Sequence, residues 1–380
     1  MALIRLHICR NLYFCTLRLL FKSSMIKSIN SQFSIKTKVM AIKKSKAIIA
    51  VIGAVLVAAA AVGIWMAPYV TTGAPDDGII LLRKGSSVQT ATDSLAAHVD
   101  VEFARRVGKL LDMTGADISG RQGAFRVKKG DSPYTVMRKL RSGPEDGIKF
   151  TFNNVRTREE FAERWGQKFM YGKDEMLKLL NDPTALATLG RTPENVTAML
   201  MPDSYEFYWD ITPIDFMTKM KNFYNKFWND ERKTKARQLG LTPDQVAVIA
   251  SIVEEETAKA DERPKVARLY LNRIKQNMPL QADPTVKFAI GDFTIKRITN
   301  AMLRTVSPYN TYVNTGLPPG PIRLPEKSSL DAVLNAPDHD YVYMCASDDF
   351  SGYHNFAVDY GTHMANARRY QAALDARGIK

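Results

Sequence analysis

Leu241 to Val286 decides the fold. It reads Leu-Thr-Pro-Asp-Gln-Val-Ala-Val-Ile-Ala-Ser-Ile-Val-Glu-Glu-Glu-Thr-Ala over 241–258, then a charged turn, then Val-Ala-Arg-Leu-Tyr-Leu-Asn-Arg-Ile over 266–274 and Leu-Gln-Ala-Asp-Pro-Thr-Val over 280–286. Thr242 is a good N-cap, Pro243 takes the first helical position where its missing N–H costs nothing, and Gln245 completes a capping box. The pattern predicts a helix from Pro243 to about Ala260, ending in carboxylates. A second helix is expected over Arg263 to Lys275, and Gln281-Ala-Asp-Pro-Thr is a short polar loop.

Consecutive helical residues point about 100° apart, so Glu254, Glu255 and Glu256 cannot share a face. Val246, Ile249, Ile252 and Val253 form the apolar stripe, and Glu256 continues it. Glu254 follows Ala247, Ala250 and Ser251 on a small-residue flank, which leaves Glu255 nearest the solvent. A carboxyl at the end of an apolar stripe is partly desolvated and holds its proton nearer neutrality, as a general acid must. The same pattern is met by a solvated acidic helix end, or by an ion pair with Arg263 or Arg273. Acids at a helix C-terminus also oppose its dipole, a placement that local stability does not explain.

The string Ala250-Ser-Ile-Val-Glu-Glu-Glu-Thr257 is followed by Glu262-Arg263, Val266-Ala267, Asn272-Arg273, Leu280-Gln281 and Asp283-Pro-Thr-Val286. Then come Tyr309-Asn-Thr-Tyr312 and Thr315-Gly-Leu-Pro-Pro-Gly-Pro-Ile322. So many spaced elements in one order resemble the YceG-like family, strongly from Gly147 to the C-terminus and by layout before it. The family motif is Glu-x-Glu-Thr with catalysis at the second acidic position, which here is Glu256. The resemblance implies a lytic transglycosylase of peptidoglycan. One acid protonates the β-1,4 glycosidic oxygen between N-acetylmuramic acid and N-acetylglucosamine, then accepts the proton of the C6 hydroxyl as a 1,6-anhydro ring closes. It implies endolytic cleavage of nascent strands that ends their growth, with peptidoglycan synthases and penicillin-binding proteins as neighbours and no cofactor.

The resemblance also nominates substrate contacts. Met201-Pro-Asp-Ser-Tyr-Glu-Phe matches the family's Pro-Asp-Thr-Tyr segment with Ser204 in the Thr place, so Asp203 and Tyr205 are candidate groove residues, although Pro-Asp-Ser is also an ordinary turn. Gln281, Asp283, Tyr309, Asn310 and Tyr312 carry the amide, carboxylate and aromatic groups that orient a sugar. Glu254 and Arg273 are expected to support Glu256, with Arg273 facing a carboxylate or pairing with Glu254. Leu317-Pro-Pro-Gly-Pro-Ile is a rigid extended wall. His354 and His363 lie where the family has histidines, but Met364 stands where Asn is common.

Three other readings remain open. A hydrolytic muramidase needs a second carboxylate, which Glu254 or Asp283 would supply. A non-enzymatic peptidoglycan-binding anchor needs none. A zinc hydrolase lacks its His-Glu-x-x-His, the five histidines being dispersed.

The chain of 380 residues has a formal charge of +14, but residues 1–46 hold ten Lys or Arg and no acid, which leaves +4 for the rest. The folded part therefore has no basic face to explain, and nucleic acid is excluded as a partner. Residues 47–67 are apolar and span roughly 30 Å as a helix, enough to cross a bilayer. Lys43, Lys44 and Lys46 precede the run and Asp76 and Asp77 follow it, so a cytoplasmic N-terminus and an extracytoplasmic bulk are expected. The expected location is the cell inner membrane, single-pass, with the catalytic part periplasmic. A cleaved signal peptide is the alternative, but the apolar run is longer than a usual signal core. Met25 and Met40 stand downstream of Met1 as alternative starts, and Met40-Ala-Ile-Lys-Lys-Ser-Lys reads as a natural one, so 1–39 is expected to be a mis-assigned beginning. Cys9 and Cys15 lie there, leaving only Cys345 outside, in what reads as a buried strand; no disulfide is available to it.

Beyond a linker at 73–77, Ile79-Ile-Leu-Leu-Arg reads as a strand and Ser87–Val99 and Asp100–Leu111 as helices. Gly123-Ala-Phe-Arg-Val and the helix after it repeat the scheme, so residues 77–147 form a small module with loose internal duplication, which resembles a lysin-motif-like domain or is a spacer. Residues 148–380 form the catalytic part. It opens on the strand Ile148-Lys-Phe-Thr-Phe, a helix over Thr157–Phe169 and a long helix from Pro213 to about Leu239. The expected class is α+β: a membrane helix, a small α/β module, and a mixed α/β domain with Glu256 at the floor of a groove.

Overall fold

The computed structural model describes residues 3–378. Met1 and the side chains of Cys9 and Cys15 lie outside what is described. The first helix, α1 (Leu3–Thr71), is longer than the 47–67 segment expected. The reason lies in composition: residues 1–52 contain neither Gly nor Pro, so nothing interrupts the helix before the apolar run. Within it, Asn30–Thr71 is long and apolar enough to cross a membrane; its most apolar stretch has mean hydropathy 2.8, and none of that stretch is buried against protein.

At its far end α1 meets a small core. Strand β1 (Gly78–Leu82), helices α2 (Val88–His98) and α3 (Val101–Met113), strand β2 (Gly123–Val127) and helix α4 (Pro133–Ser142) follow in order. β1 and β2 pair antiparallel, Gly78 opposite Val127 and Leu82 opposite Gly123. Ser87, Asp100 and Ser132 cap the three helices with side-chain oxygens, as their sequence positions demand. Leu82, Leu95, Leu111, Phe125 and Leu140 fill the core, and Tyr69 of α1 is buried in it. The duplication is unequal, since two helices follow β1 and one follows β2.

The second core is larger. Strand β3 (Gly147–Phe152), helices α5 (Arg158–Gly166), α6 (Gly172–Leu180) and α7 (Pro183–Thr188), strand β4 (Asp203–Tyr208), and helices α8 (Pro213–Phe227) and α9 (Asp230–Gln238) lead to the central helix α10 (Pro243–Glu256). β3 and β4 pair antiparallel, Phe152 opposite Asp203 and Gly147 opposite Tyr208. Phe150, Phe152, Phe161, Trp165 and Phe216 interlock over this sheet, with Phe150 and Phe161 edge to face at 6.1 Å. After α10 come α11 (Arg263–Lys275), α12 (Asp283–Ile290), α13 (Lys327–Leu334), the antiparallel pair β5 (Tyr343–Ala346) and β6 (His354–Ala357), and α14 (Tyr360–Ala376).

Three further expectations are corrected. The helix expected from Pro213 to Leu239 is two helices, because Trp228 turns into the core and Asn229 caps α9 by accepting the Arg232 N–H at 2.9 Å. The helix expected to reach Phe169 ends at Gly166. α10 stops at Glu256 rather than Ala260. Thr257 is extended there (φ −137°, ψ 131°), and its hydroxyl accepts the Lys259 N–H instead of continuing the ladder. Asp203–Tyr208, open to a turn reading, is strand.

Candidate active site

The central helix begins as the sequence requires. The Thr242 hydroxyl accepts the Gln245 N–H at 3.2 Å while the Gln245 side chain accepts the Thr242 N–H at 2.8 Å. Residues 246–254 are buried without interruption. The helix is therefore held on all sides, and its C-terminus is a fixed platform for three carboxylates.

Each carboxylate meets a different neighbour. Glu254, 7% exposed, accepts from Arg323 at 2.9 Å, from the Ser329 hydroxyl at 2.7 Å and from the Glu326 N–H at 2.8 Å. Glu255, expected toward solvent, instead sits between Arg156 (3.0 Å) and Arg323 (2.8 Å). Among the described residues no cation is bonded to Glu256; the Tyr270 hydroxyl donates to its Oε1 at 2.7 Å. Burial pushes the Glu256 carboxyl up to about 7, the Tyr270 bond draws it down in part, and neighbouring Asp283 pushes it up again. Tyr270 is itself buried and held well above the ordinary phenol range, so it stays a donor.

Glu256 lies in a cavity of ≈270 Å³ that Tyr270, Arg273, Gln281, Asp283, Tyr312 and His354 also line. α11 delivers Tyr270 and Arg273 from one face, three residues apart. Arg273 does not pair with Glu254. Its guanidinium donates to the carbonyls of Val342 (2.6 Å), Leu280 (2.8 Å) and Pro279 (3.2 Å), which ties α11 to the loop and to the segment entering β5. Gln281 adopts φ 50°, a strained left-handed backbone, and its N–H donates to the Thr311 carbonyl at 3.1 Å. That bend sets Asp283 at the start of α12, where the Tyr312 hydroxyl donates to it at 2.6 Å.

The other nominated residues lie elsewhere. Asn310 is fully buried and donates to the carbonyls of Leu303 (3.0 Å) and Thr305 (2.8 Å), shaping the loop that carries Tyr312. Tyr309 packs on Phe288 with ring centroids 4.7 Å apart. Tyr205 is buried in the aromatic core and donates to the Met201 carbonyl at 2.7 Å, while Asp203 pairs with Lys327 at the surface. None of these four lines the Glu256 cavity. Cys345 is half-buried rather than buried and does line it. His363 stacks on Tyr343 behind the site.

Sequence reasoning passed over Tyr270, the Glu262–His354 pair and Arg323. Counting three back from Arg273 along the buried face would have found Tyr270. Arg323, at the end of the proline-rich wall, carries no local signal, for its partner is 69 residues away in sequence at Glu254.

Residues 80–369 match the model of the YceG-like family. The chain is similar to the endolytic murein transglycosylase of Bacillus subtilis, 28% identical over 286 residues covering 71% of this chain and 79% of that protein. It is 34% identical to the endolytic murein transglycosylase of Streptococcus pneumoniae over 308 residues, 73% of this chain, and spans about half of that protein's length (54%). The fold resembles the crystal structure of a yceG-like protein from Listeria monocytogenes, with TM-score 0.52 and 23% identity over 76% of this chain and 98% of that one. With the family's match running over most of its length, the chain belongs to the YceG-like family.

Proposed function

We propose that the protein is an endolytic lytic transglycosylase of peptidoglycan with Glu256 as its acid. The observation that carries this is the setting of that one carboxyl, in a polar cavity with a phenol on one oxygen, no cation bonded to it among the described residues, and its proton held up to about 7 by burial. With Oε1 occupied by Tyr270, Oε2 is the oxygen free to give a proton to a substrate. It protonates the β-1,4 oxygen between N-acetylmuramic acid and N-acetylglucosamine. The C6 hydroxyl of the muramic ring attacks C1, and an anhydro end forms without water. Once Glu256 has donated, its carboxylate is competent to take the C6 proton. Gln281, Asp283, Tyr312 and Arg273 are the groups available to orient the sugar. Arg273 braces the loop through Nε and Nη1, and no hydrogen bond among the described residues uses its Nη2 hydrogens, which can serve a sugar oxygen.

α1 anchors the chain as a single inner-membrane span, with its lysine-rich start in the cytoplasm and the cavity on the periplasmic side. Residues 77–147 serve as a lysin-motif-like module that meets glycan, and residues 148–380 as the catalytic domain. Cleavage close to the membrane ends the elongation of nascent strands and places peptidoglycan synthases and penicillin-binding proteins as neighbours.

The test is mass spectrometry of material released from purified peptidoglycan by the full chain in detergent, beside Glu256→Gln. Anhydromuramic ends that vanish in the variant are expected. Reducing ends would make the enzyme a hydrolase and turn attention to Asp283, the second carboxylate that shares the cavity. Unchanged release by Glu256→Gln would sink the assignment.

A further inference from the structure

Glu262 is 5% exposed and sits immediately before α11, six residues after Glu256 and outside the run of three glutamates that ends α10. Both its oxygens hold one residue: Oε1 accepts the His354 backbone N–H at 2.7 Å and Oε2 lies 2.9 Å from the His354 ring Nδ1. A carboxylate in this arrangement accepts, so Nδ1 carries the hydrogen and the other ring nitrogen, Nε2, is the one able to take a proton. His354 lines the Glu256 cavity, and among the described residues no hydrogen bond engages Nε2. Elsewhere in the cavity Tyr270 holds Glu256 Oε1, Tyr312 holds Asp283 Oδ1, and three carbonyls hold Arg273 through Nε and Nη1.

We propose that His354, gripped by Glu262, is the base of ring closure, so that acid and base work are divided between Glu256 and His354. This rests on the transglycosylase reading above. Glu256 delivers its proton to the glycosidic oxygen as that oxygen leaves C1. The C6 oxygen bonds to C1 and its proton passes to Nε2. The resulting imidazolium lies against the Glu262 carboxylate, which stabilises the charge and fixes the ring. His354 then releases its proton to solvent and Glu256 regains one, which closes the cycle with no other reactant. The titratable groups around the ring are Glu262 behind it and Glu256, Tyr270, Arg273, Asp283, Tyr312 and Cys345 around the cavity. Glu262 alone is bonded to the imidazole.

The experiment uses the full chain in detergent and counts anhydromuramic ends released across pH. His354→Gln is expected to lower kcat about 100-fold with KM nearly unchanged, and to abolish the acid limb of the profile while leaving the alkaline limb. Imidazole added to His354→Ala should restore part of the rate, which it cannot do for a merely structural loss. Glu262→Gln should lower kcat about 10-fold, because an amide cannot stabilise the imidazolium. Two results would overturn the proposal: His354→Gln running within threefold of wild type, or its loss of rate with the acid limb intact and no imidazole rescue. Glu256→Gln, measured in parallel, separates this failure from failure of the transglycosylase reading. If Glu256→Gln also keeps its rate, or wild type makes reducing ends, the underlying assignment falls instead and takes the role of His354 with it.

Discussion

The two sides of the α10 C-terminus treat the same side chain in opposite ways. On one side Glu254 and Glu255 are locked by Arg323 and Arg156. On the other, within a third of a turn, Glu256 meets a phenol and a cavity wall. Cations favour a carboxylate's charged form, whereas burial beside a neutral donor favours the proton. The residue type does not choose between structure and chemistry here; the partner delivered by a distant segment does. Arg323 follows the proline-rich wall, and Tyr270 comes from α11.

The comparison breaks most visibly if Glu256 is not special. Glu256→Gln should lower the rate of anhydromuramic release at least about 1000-fold with the protein still folded, at the upper part of the range for a lost general acid. Glu255→Gln, tested in the same assay, should retain the chemistry. Equal losses from the two would mean that the helix end works as one charged cluster.

The arginine side is tested by stability. Arg323 is 8% exposed and faces two carboxylates. Arg323→Met leaves Glu254 without its cation in a buried site, which should destabilise the fold by about 3–5 kcal/mol in denaturant unfolding. A variant that unfolds like wild type would show that Ser329 and the Glu326 N–H suffice for Glu254.

Much of this contrast was legible in the chain. The capping box and the stripe Val246, Ile249, Ile252, Val253 fix where the helix starts and which way Glu256 points, because both follow from local geometry. α11 and the strand at Ile148 were equally local, whereas its pairing with Asp203–Tyr208, about 55 residues on, was not read. What the sequence did not carry is the set of partners. Nothing near Glu255 tells that Arg156 approaches from the loop ahead of α5, so a solvent-facing position was the natural reading and the wrong one. Tyr309 and Asn310 look alike to Tyr312 in sequence. Only the bend at Gln281 and the burial of Asn310 sort one residue into the cavity and two into its support. Asp203 and Tyr205 show the same limit: the segment that nominated them by resemblance places Asp203 at the start of β4 and Tyr205 in the aromatic core.

A thermodynamic consequence sharpens the cavity side. The folded chain holds the Glu256 proton up to about 7, above the ordinary carboxyl value of 4.5. A group whose folded pKa is raised contributes stability that is fully present below its unfolded pKa and is lost as pH rises through its folded pKa. Unfolding free energy should therefore decline between pH 4.5 and pH 7 by up to about 3 kcal/mol from this one group, then level off. Glu256→Gln should flatten that window and be the more stable protein at pH 8. A variant with the wild-type slope would place the penalty in other groups.

The smallest effect tests the phenol itself. Tyr270→Phe keeps the ring, the packing and the helix, and removes only the oxygen 2.7 Å from Glu256. Two things should then change together. The bond draws the Glu256 carboxyl down, so its loss moves the alkaline limb of the pH–rate profile upward. The same loss frees the carboxyl to rotate, and Oε2 is no longer the oxygen reserved for the substrate; the rate at the maximum of the profile should fall about 10-fold, as expected for disturbing a positioned acid. A shift of the limb without a loss of rate would make Tyr270 an electrostatic neighbour only, and a loss of rate without a shift would make it packing. Both changes in one variant are what a side chain does when it decides which oxygen carries the proton, and that choice is what separates Glu256 from the two glutamates beside it.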